Sequence, residues 1–335
     1  MKISASIYAR PNVPLHILIN ELDEHGIDMY HIDCNDDARV FDDIEKIRKI
    51  SDKPIDLHII SDQPEVYFSL LEKMPVEYVT FQYENLTKPL EVPANIHSKL
   101  GLAITSDTDI SVFEAYKNRF DFILIMATTP GQSGGRFNKS NFKKIRAFAK
   151  HFPEKKIHVD GGVNAEISFI LRNMGVSSVV SGSYLFKADY LGAAMLGLKG
   201  ENFDSEYRVR DFMLTNGEAP VLQENDLDFL KILNAIEQYN AGFVMIQNND
   251  NQLVGIVTNA DIRRALIRNI DNLNDIPVNE MINTTPFSIQ ENYTVNEMLK
   301  HIKAQRFPIN YAPVVDAENR VKGAVTFFNL IKGEP

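Results

Sequence analysis

The chain has 335 residues, 44% of them apolar and 24% charged, which is the composition of a soluble globular protein long enough for one large domain or two. A formal net charge of −10 weighs against nucleic acid or an anionic membrane as the main partner, but not against a phosphorylated small molecule held in a local pocket. Cys34 is the one cysteine, which excludes an internal disulfide or a multi-cysteine metal cluster and suits a reducing cytoplasm.

In chain order, the opening "MKISASIYARPNVP" lacks the basic and apolar regions of a signal peptide. No apolar run approaches the roughly 18 residues that cross a bilayer, so a cytoplasmic protein without a membrane partner is expected. Short apolar runs follow, beginning near residues 2, 28, 55, 77, 99, 121, 156 and 177. Between them, "PLHILINELDEHG", "FDDIEKIRKI", "SVFEAYKNRF" and "KSNFKKIRAFAKHF" carry helical spacing, while "NLTKPLEVPANIHS" reads as a loop. Strand then helix, repeated about eight times, predicts an α/β fold of the (β/α)8 TIM-barrel type over residues 1–200. A doubly wound sheet competes, but no G-x-G-x-x-G follows the first strand.

The rhythm changes near residues 198–208. "NNDNQLVGIVTNADIRRAL" and "DAENRVKGAVTFFNLIKG" are two versions of one unit: a polar turn, a strand ending Gly-h-Val-Thr (h apolar), then a helix. Each is preceded by a helix-like run and a further strand, "AGFVMIQ" or "NYAPVVD". A duplicated α+β module over 207–335 is expected, with copies at about 207–270 and 276–335.

A barrel of this kind carries its chemistry at the carboxyl ends of its strands. There the sequence puts Ser6, His31, Asp33, His58 and Asp160. His31 and Asp33 are two apart and so share a face. Two histidines and two carboxylates at one mouth would suit one divalent metal ion such as Zn, Fe or Mn. The plainer readings are a hydrogen-bonded core histidine and an aspartate that caps the next helix. His158, two before Asp160, reads as a core residue of a lower layer. Glycine clusters in "TTPGQSGGRF", "DGGVN" and "SGSYLF" follow strands six, seven and eight. Backbone N–H groups exposed by such glycines, next to a helix start, are suited to a phosphate.

In series, "ASIY", "HIDCND", "DLHII", "TTPGQSGGRF", "VDGGVN" and "SGS" resemble the ordered motifs of ribulose-phosphate 3-epimerases over residues 1 to 197. The resemblance implies a metal held by His31, Asp33, His58 and Asp160. It implies Ser6 and His58 at a sugar-phosphate substrate, whose phosphate lies on the stretch Gly131, Gln132, Ser133 and Gly134 together with Gly161, Gly162, Gly182 and Ser183. Inverting a carbon beside a carbonyl requires one group on each face, and the resemblance makes Asp33 the proton acceptor and Asp160 the donor. The chain departs from the family at Asn35-Asp36-Asp37, at Gln82 where histidine is common, at Thr105-Ser106 and at Ser133. These positions are expected to face the sugar chain, which leaves D-ribulose 5-phosphate and related sugar phosphates as the expected substrates. The Asp-x-Lys-x-Asp run of the related decarboxylases is missing at "HIDCNDD". A catalytically silent sugar-phosphate sensor is the alternative from another class.

The duplicated module resembles a pair of CBS domains. The resemblance implies an adenine or cytidine nucleotide near Thr258, Asp261 and Thr326, with Asn329 at the aspartate position of the second copy, or else a purely dimerising role. A homo-oligomer is expected. The segment Phe229 to Ile289 is similar to CBS pairs attached to sugar nucleotidyltransferases and arabinose 5-phosphate isomerases, which would connect the protein with surface-polysaccharide sugar synthesis.

Overall fold

All eight apolar runs of the first unit are strands: β1 (Lys2–Ser6), β2 (Met29–Asn35), β3 (Ile55–Ile60), β4 (Tyr78–Gln82), β5 (Lys99–Thr105), β6 (Phe122–Met126), β7 (Lys156–Asp160) and β8 (Ser178–Ser181). They pair in parallel, each with the next, and β8 returns to β1 to close the barrel. Strands buried on both faces need near-continuous apolar runs, and "FILIM" of β6 is buried throughout. This computed structural model describes residues 1–130, 134–200, 205–272, 276–305 and 309–327. Gly131, Gln132, Ser133 and Asn329 lie outside the described residues.

The connecting helices are α1 (Leu15–Glu24), α2 (Val40–Arg48), α3 (Phe68–Lys73), α4 (Ser140–His151), α5 (Ala165–Asn173), α6 (Ser183–Lys187) and α7 (Leu191–Lys199). The stretch between β4 and β5 holds only a short 3-10 turn, Tyr83–Asn85, in keeping with its prolines. "SVFEAYKNRF" departs from the expected helix: Ile110–Ala115 is a 3-10 segment. Its Phe113 ring is drawn inward against Phe148 and Phe152, at centroid distances of 5.1 and 5.2 Å. The Tyr116 N–H closes onto the Phe113 carbonyl at 2.9 Å, an i→i+3 bond that tightens the turn.

The inside of the barrel is filled by Met29, Tyr78, Ala103, Phe122, Leu124 and Met126. Gly101 leaves the room for Phe122, since a Cβ there would lie 2.2 Å from its ring. His158 stacks on Phe122 at 4.1 Å between centroids and meets Tyr78 at 5.7 Å, the core position expected for it.

The described residues fall into two compact units that part between residues 200 and 205. The second contains α8 (Val209–Phe212), β9 (Leu214–Thr215), β10 (Val221–Gln223), α9 (Phe229–Tyr239), β11 (Phe243–Gln247), β12 (Leu253–Thr258), α10 (Asn259–Arg268), β13 (Ile289–Gln290), α11 (Val295–Lys303), β14 (Tyr311–Val315) and β15 (Val321–Thr326). One sheet has the order β10-β11-β12 and the other β13-β14-β15-β9. The duplication is visible in reciprocal bonds: Leu253 N–H donates to the Asn319 carbonyl and Val321 N–H to the Asn251 carbonyl, both at 2.8 Å. Asn251 and Asn319 share a left-handed φ of 61°. Among the described residues, no helix is long and apolar enough to cross a membrane.

Candidate active site

Side chains two apart on a strand face the same way, so β2 aims His31 and Asp33 inward, and β3 does the same with Asp56 and His58. The β2–β3 register sets His31 opposite Asp56 and Asp33 opposite His58. His31, Asp33 and His58 each offer a ligand atom within 4.8 Å of the others. Asp160, at the end of β7, approaches His31 Nε2 to 3.9 Å and stands outside that closest group of three. Neither aspartate is a helix cap: α2 starts from Arg39, and α5 is capped by Asn164, whose Oδ1 accepts the Ile167 N–H at 2.9 Å.

Both histidines are oriented from behind. His31 Nδ1 donates to Asp56 Oδ2 at 2.9 Å, which turns Nε2 toward Asp33 Oδ1 at 3.3 Å. His58 Nε2 is bonded to Gln82 Oε1 at 2.9 Å, and its Nδ1 is buried without a hydrogen-bond partner, 3.3 Å from Asp33 Oδ1. A buried nitrogen left bare among acceptors has the chemistry of a metal ligand. Asp56, which orients His31, is a residue of this site that sequence reasoning passed over. Its place in "IDLHII" was the available signal, because a charge in a buried strand needs a partner.

The electrostatics separate the two catalytic candidates. Burial works to raise the Asp33 pKa, but the charge and hydrogen bond of His31 beside it carry it well below the usual carboxylate range. Burial pushes Asp160 up to about 6, with His31 pulling it down and the Asp33 charge adding to the rise. Burial would also lower His31, yet the Asp56 and Asp33 carboxylates outweigh it and raise His31 well above an ordinary imidazole. Two carboxyls at one mouth with pKa values pushed apart can divide the work of base and acid.

Asp33 and Asp160 line one cavity of about 100 Å³ together with Ser6, Gly134, Gly161, Gly162, Gly182 and Ser183. Gly161 and Gly162 take left-handed φ values of 106° and 67°, and a Cβ on either would come within 2.3 Å of Thr128 or Phe137. Only glycine fits there, and the backbone is left open to a ligand. Tyr8 and Asp33 also border a wider opening of about 550 Å³ lined by Asn35, Asp37, Arg39 and Asp43.

Gln82, Thr105 and Ser106 are placed differently from the expectation that they meet the sugar. Gln82 is 1% exposed and bound to His58. The Thr105 N–H donates to Glu84 at 2.8 Å, and the Ser106 hydroxyl is engaged by Asn141 and the Met126 carbonyl. For Thr105 and Ser106 the reason is Lys144, whose ammonium gathers the carbonyls of Thr105, Ser106 and Thr108 and folds the loop toward α4.

In the second unit, Thr258 and Asp261 form a capping box at the start of α10: the Thr258 N–H and hydroxyl donate to Asp261 Oδ2 at 2.9 and 2.6 Å. Arg264 pairs with Asp261 from the next turn. Thr326, at the end of β15, is opposite Tyr311, as Thr258 is opposite Phe243, and the Phe243 and Tyr311 rings stack at 4.6 Å.

Comparison with known proteins matches residues 2–186 to the family model described as Ribulose-phosphate 3 epimerase family, and residues 209–268 and 278–334 to the CBS domain. The ribulose-phosphate 3-epimerase of Methanocaldococcus jannaschii is 27% identical over 212 residues, 59% of this chain and 90% of its own. That of Bacillus subtilis is 26% identical over 200 residues, 56% of this chain and 92% of its own. The solved structure of the CBS-pair protein CBSX2 from Arabidopsis thaliana is 18% identical, with a TM-score of 0.32, over 38% of this chain and 94% of its own.

Proposed function

Because the chain belongs to the ribulose-phosphate 3 epimerase family, we propose that its barrel is a metal-dependent isomerase that epimerises a ketose phosphate by proton transfer between two carboxylates. The substrate pair is D-ribulose 5-phosphate and D-xylulose 5-phosphate or a close relative. The observation that carries this reading is the pair Asp33 and Asp160 on one cavity, with their pKa values driven in opposite directions. Asp33, ionised, takes the proton from the carbon next to the carbonyl. Asp160, protonated, returns one to the opposite face of the enediolate, and the roles exchange in the reverse direction. A silent sensor would have no use for a second carboxylate of this kind.

A single Zn, Fe or Mn ion fits His31 Nε2, Asp33 and His58 Nδ1, with Asp160 alongside, and the bare Nδ1 of His58 is the main support for it. Such an ion, when bound, supplies Lewis-acid stabilisation of the enediolate oxygen. The phosphate is assigned to the backbone around Gly134, Gly161, Gly162, Gly182 and Ser183, with Ser6 beside it. The wider opening at Asn35 and Asp37 would take the end of the sugar remote from the phosphate, so substrate choice rests on that loop. For the CBS pair we assign an adenine or cytidine nucleotide near Thr258, Asp261 and Thr326, acting on the enzyme as a regulator.

Purified protein assayed with ribulose, allulose and related ketose phosphates tests the barrel: one of them turns over, chelator abolishes the activity and Mn²⁺ or Zn²⁺ restores it. Turnover of none of them would favour the sensor. Calorimetric titration with ATP, AMP and CMP-linked sugars tests the second unit, where binding by none would assign the CBS pair to dimerisation.

A further inference from the structure

Gln82, where the chain departs from its family at the end of β4, sits behind His58 and away from the cavity. Its amide nitrogen donates to the Glu84 carboxylate and, at 3.5 Å, to the Ala103 carbonyl. Both partners can only accept, so the NH₂ end of Gln82 must face them and Oε1 must face His58. An amide oxygen also only accepts, so His58 Nε2 at 2.9 Å carries the ring proton and Nδ1 is bare. That bare Nδ1 is the buried, unpartnered atom 3.3 Å from Asp33. Glu84 is fixed in turn, because its Oε1 accepts the Thr105 N–H at 2.8 Å and the Thr108 hydroxyl. Turning the Gln82 amide over would set its oxygen against the Glu84 carboxylate and the Ala103 carbonyl, two groups that can only accept.

We infer that Glu84 and Gln82 are positioning residues. They form a relay from the β5 loop that locks His58 in the Nε2–H tautomer and turns its Nδ1 lone pair toward Asp33, ready for a divalent cation. The cation half of this inference rests on the metal-dependent reading of the barrel; the tautomer half does not. A histidine at position 82 could serve either as donor or acceptor. Glutamine anchored by a carboxylate offers His58 an acceptor alone.

Nitrogen-15 NMR of the histidine rings in the metal-free full chain at pH 8 reads the relay directly, with the His58 signals assigned by their loss in His58→Asn. The wild type is expected to show His58 protonated at Nε2, and Gln82→Leu and Glu84→Gln are expected to mix in the other tautomer. Glu84 is a surface residue, so its variant keeps the test open if Gln82→Leu does not fold. A wild type protonated at Nδ1, or a tautomer unmoved in both variants, overturns the relay. Co²⁺ titration by calorimetry on the same proteins follows. Gln82→Leu should bind about 10–100-fold more weakly than wild type, and Gln82→His, which can still accept from His58 and donate to Glu84, should keep most of the affinity. Equal Co²⁺ affinity in wild type and Gln82→Leu overturns the assignment of the relay to metal binding. A wild type with the Nε2–H tautomer but no Co²⁺ affinity supports the relay and contradicts the metal-dependent reading.

Discussion

The two ends of the barrel use the same residue type to opposite effect. At the bottom, His158 is 4% exposed and lies flat on Phe122, and burial holds its pKa down to about 4. At the mouth, His31 is 1% exposed, yet its pKa is raised well above normal. Burial opposes the charged form in both places, so the difference comes from company. His31 touches Asp56 and Asp33, whereas the neighbours of His158 are rings, with Asp56 acting from a distance and Lys156 and Lys2 opposing it. A histidine among rings is packing material; one between carboxylates is a tool.

The contrast can be broken first at the mouth. Asp33→Asn keeps the shape of the site but removes the proposed base, and turnover should fall by about 10²–10⁴-fold with the thermal midpoint little changed, as measured by steady-state kinetics beside calorimetry. At the bottom the pattern reverses. Phe122→Ala should cost about 3–5 kcal/mol of stability in chemical denaturation, while kcat of the remaining folded protein stays close to wild type. The third test sharpens the comparison through pH. His158 has a folded pKa below its unfolded value of 6.5, so above that value it is neutral in both states and has no effect. As pH falls from 6.5 toward 4 the unfolded chain takes up a proton that the folded barrel refuses, and stability is lost. The loss approaches about 3 kcal/mol. His158→Phe, which keeps a ring on Phe122, should flatten that part of the pH dependence. An identical slope in wild type and variant would show that His158 is not held neutral.

Much of this architecture was legible in the sequence because it depends on local pattern. Eight apolar runs gave eight strands, and strand alternation placed His31 with Asp33 and set His158 one layer below Asp160. Their convergence follows from the barrel alone, since every strand delivers its last residues to the same face. What escaped depends on register between strands. Asp56 lies behind His31, and Gln82 reaches His58 across 24 residues of chain. Gln82 is expected to face the sugar because it stands at a strand end where the family commonly has histidine; the carboxylate of Glu84 and the Ala103 carbonyl decide its direction. The 3-10 segment at Ile110–Ala115 escaped for a similar reason, because its helical spacing is overridden by the Phe113 ring packing on α4.

The central claim is that Asp33 and Asp160 exchange the proton of a carbon next to a carbonyl, and isotope wash-in measures it most directly. Metal-supplemented protein is incubated in D₂O with the ketose phosphate on which it is most active, or with D-ribulose 5-phosphate if none is turned over, and the sugar is followed by proton NMR. Deuterium should enter at C3 alone in wild type and fail to enter with Asp33→Asn. Absence of exchange at any carbon in the wild type, or undiminished exchange in Asp33→Asn, would contradict the account.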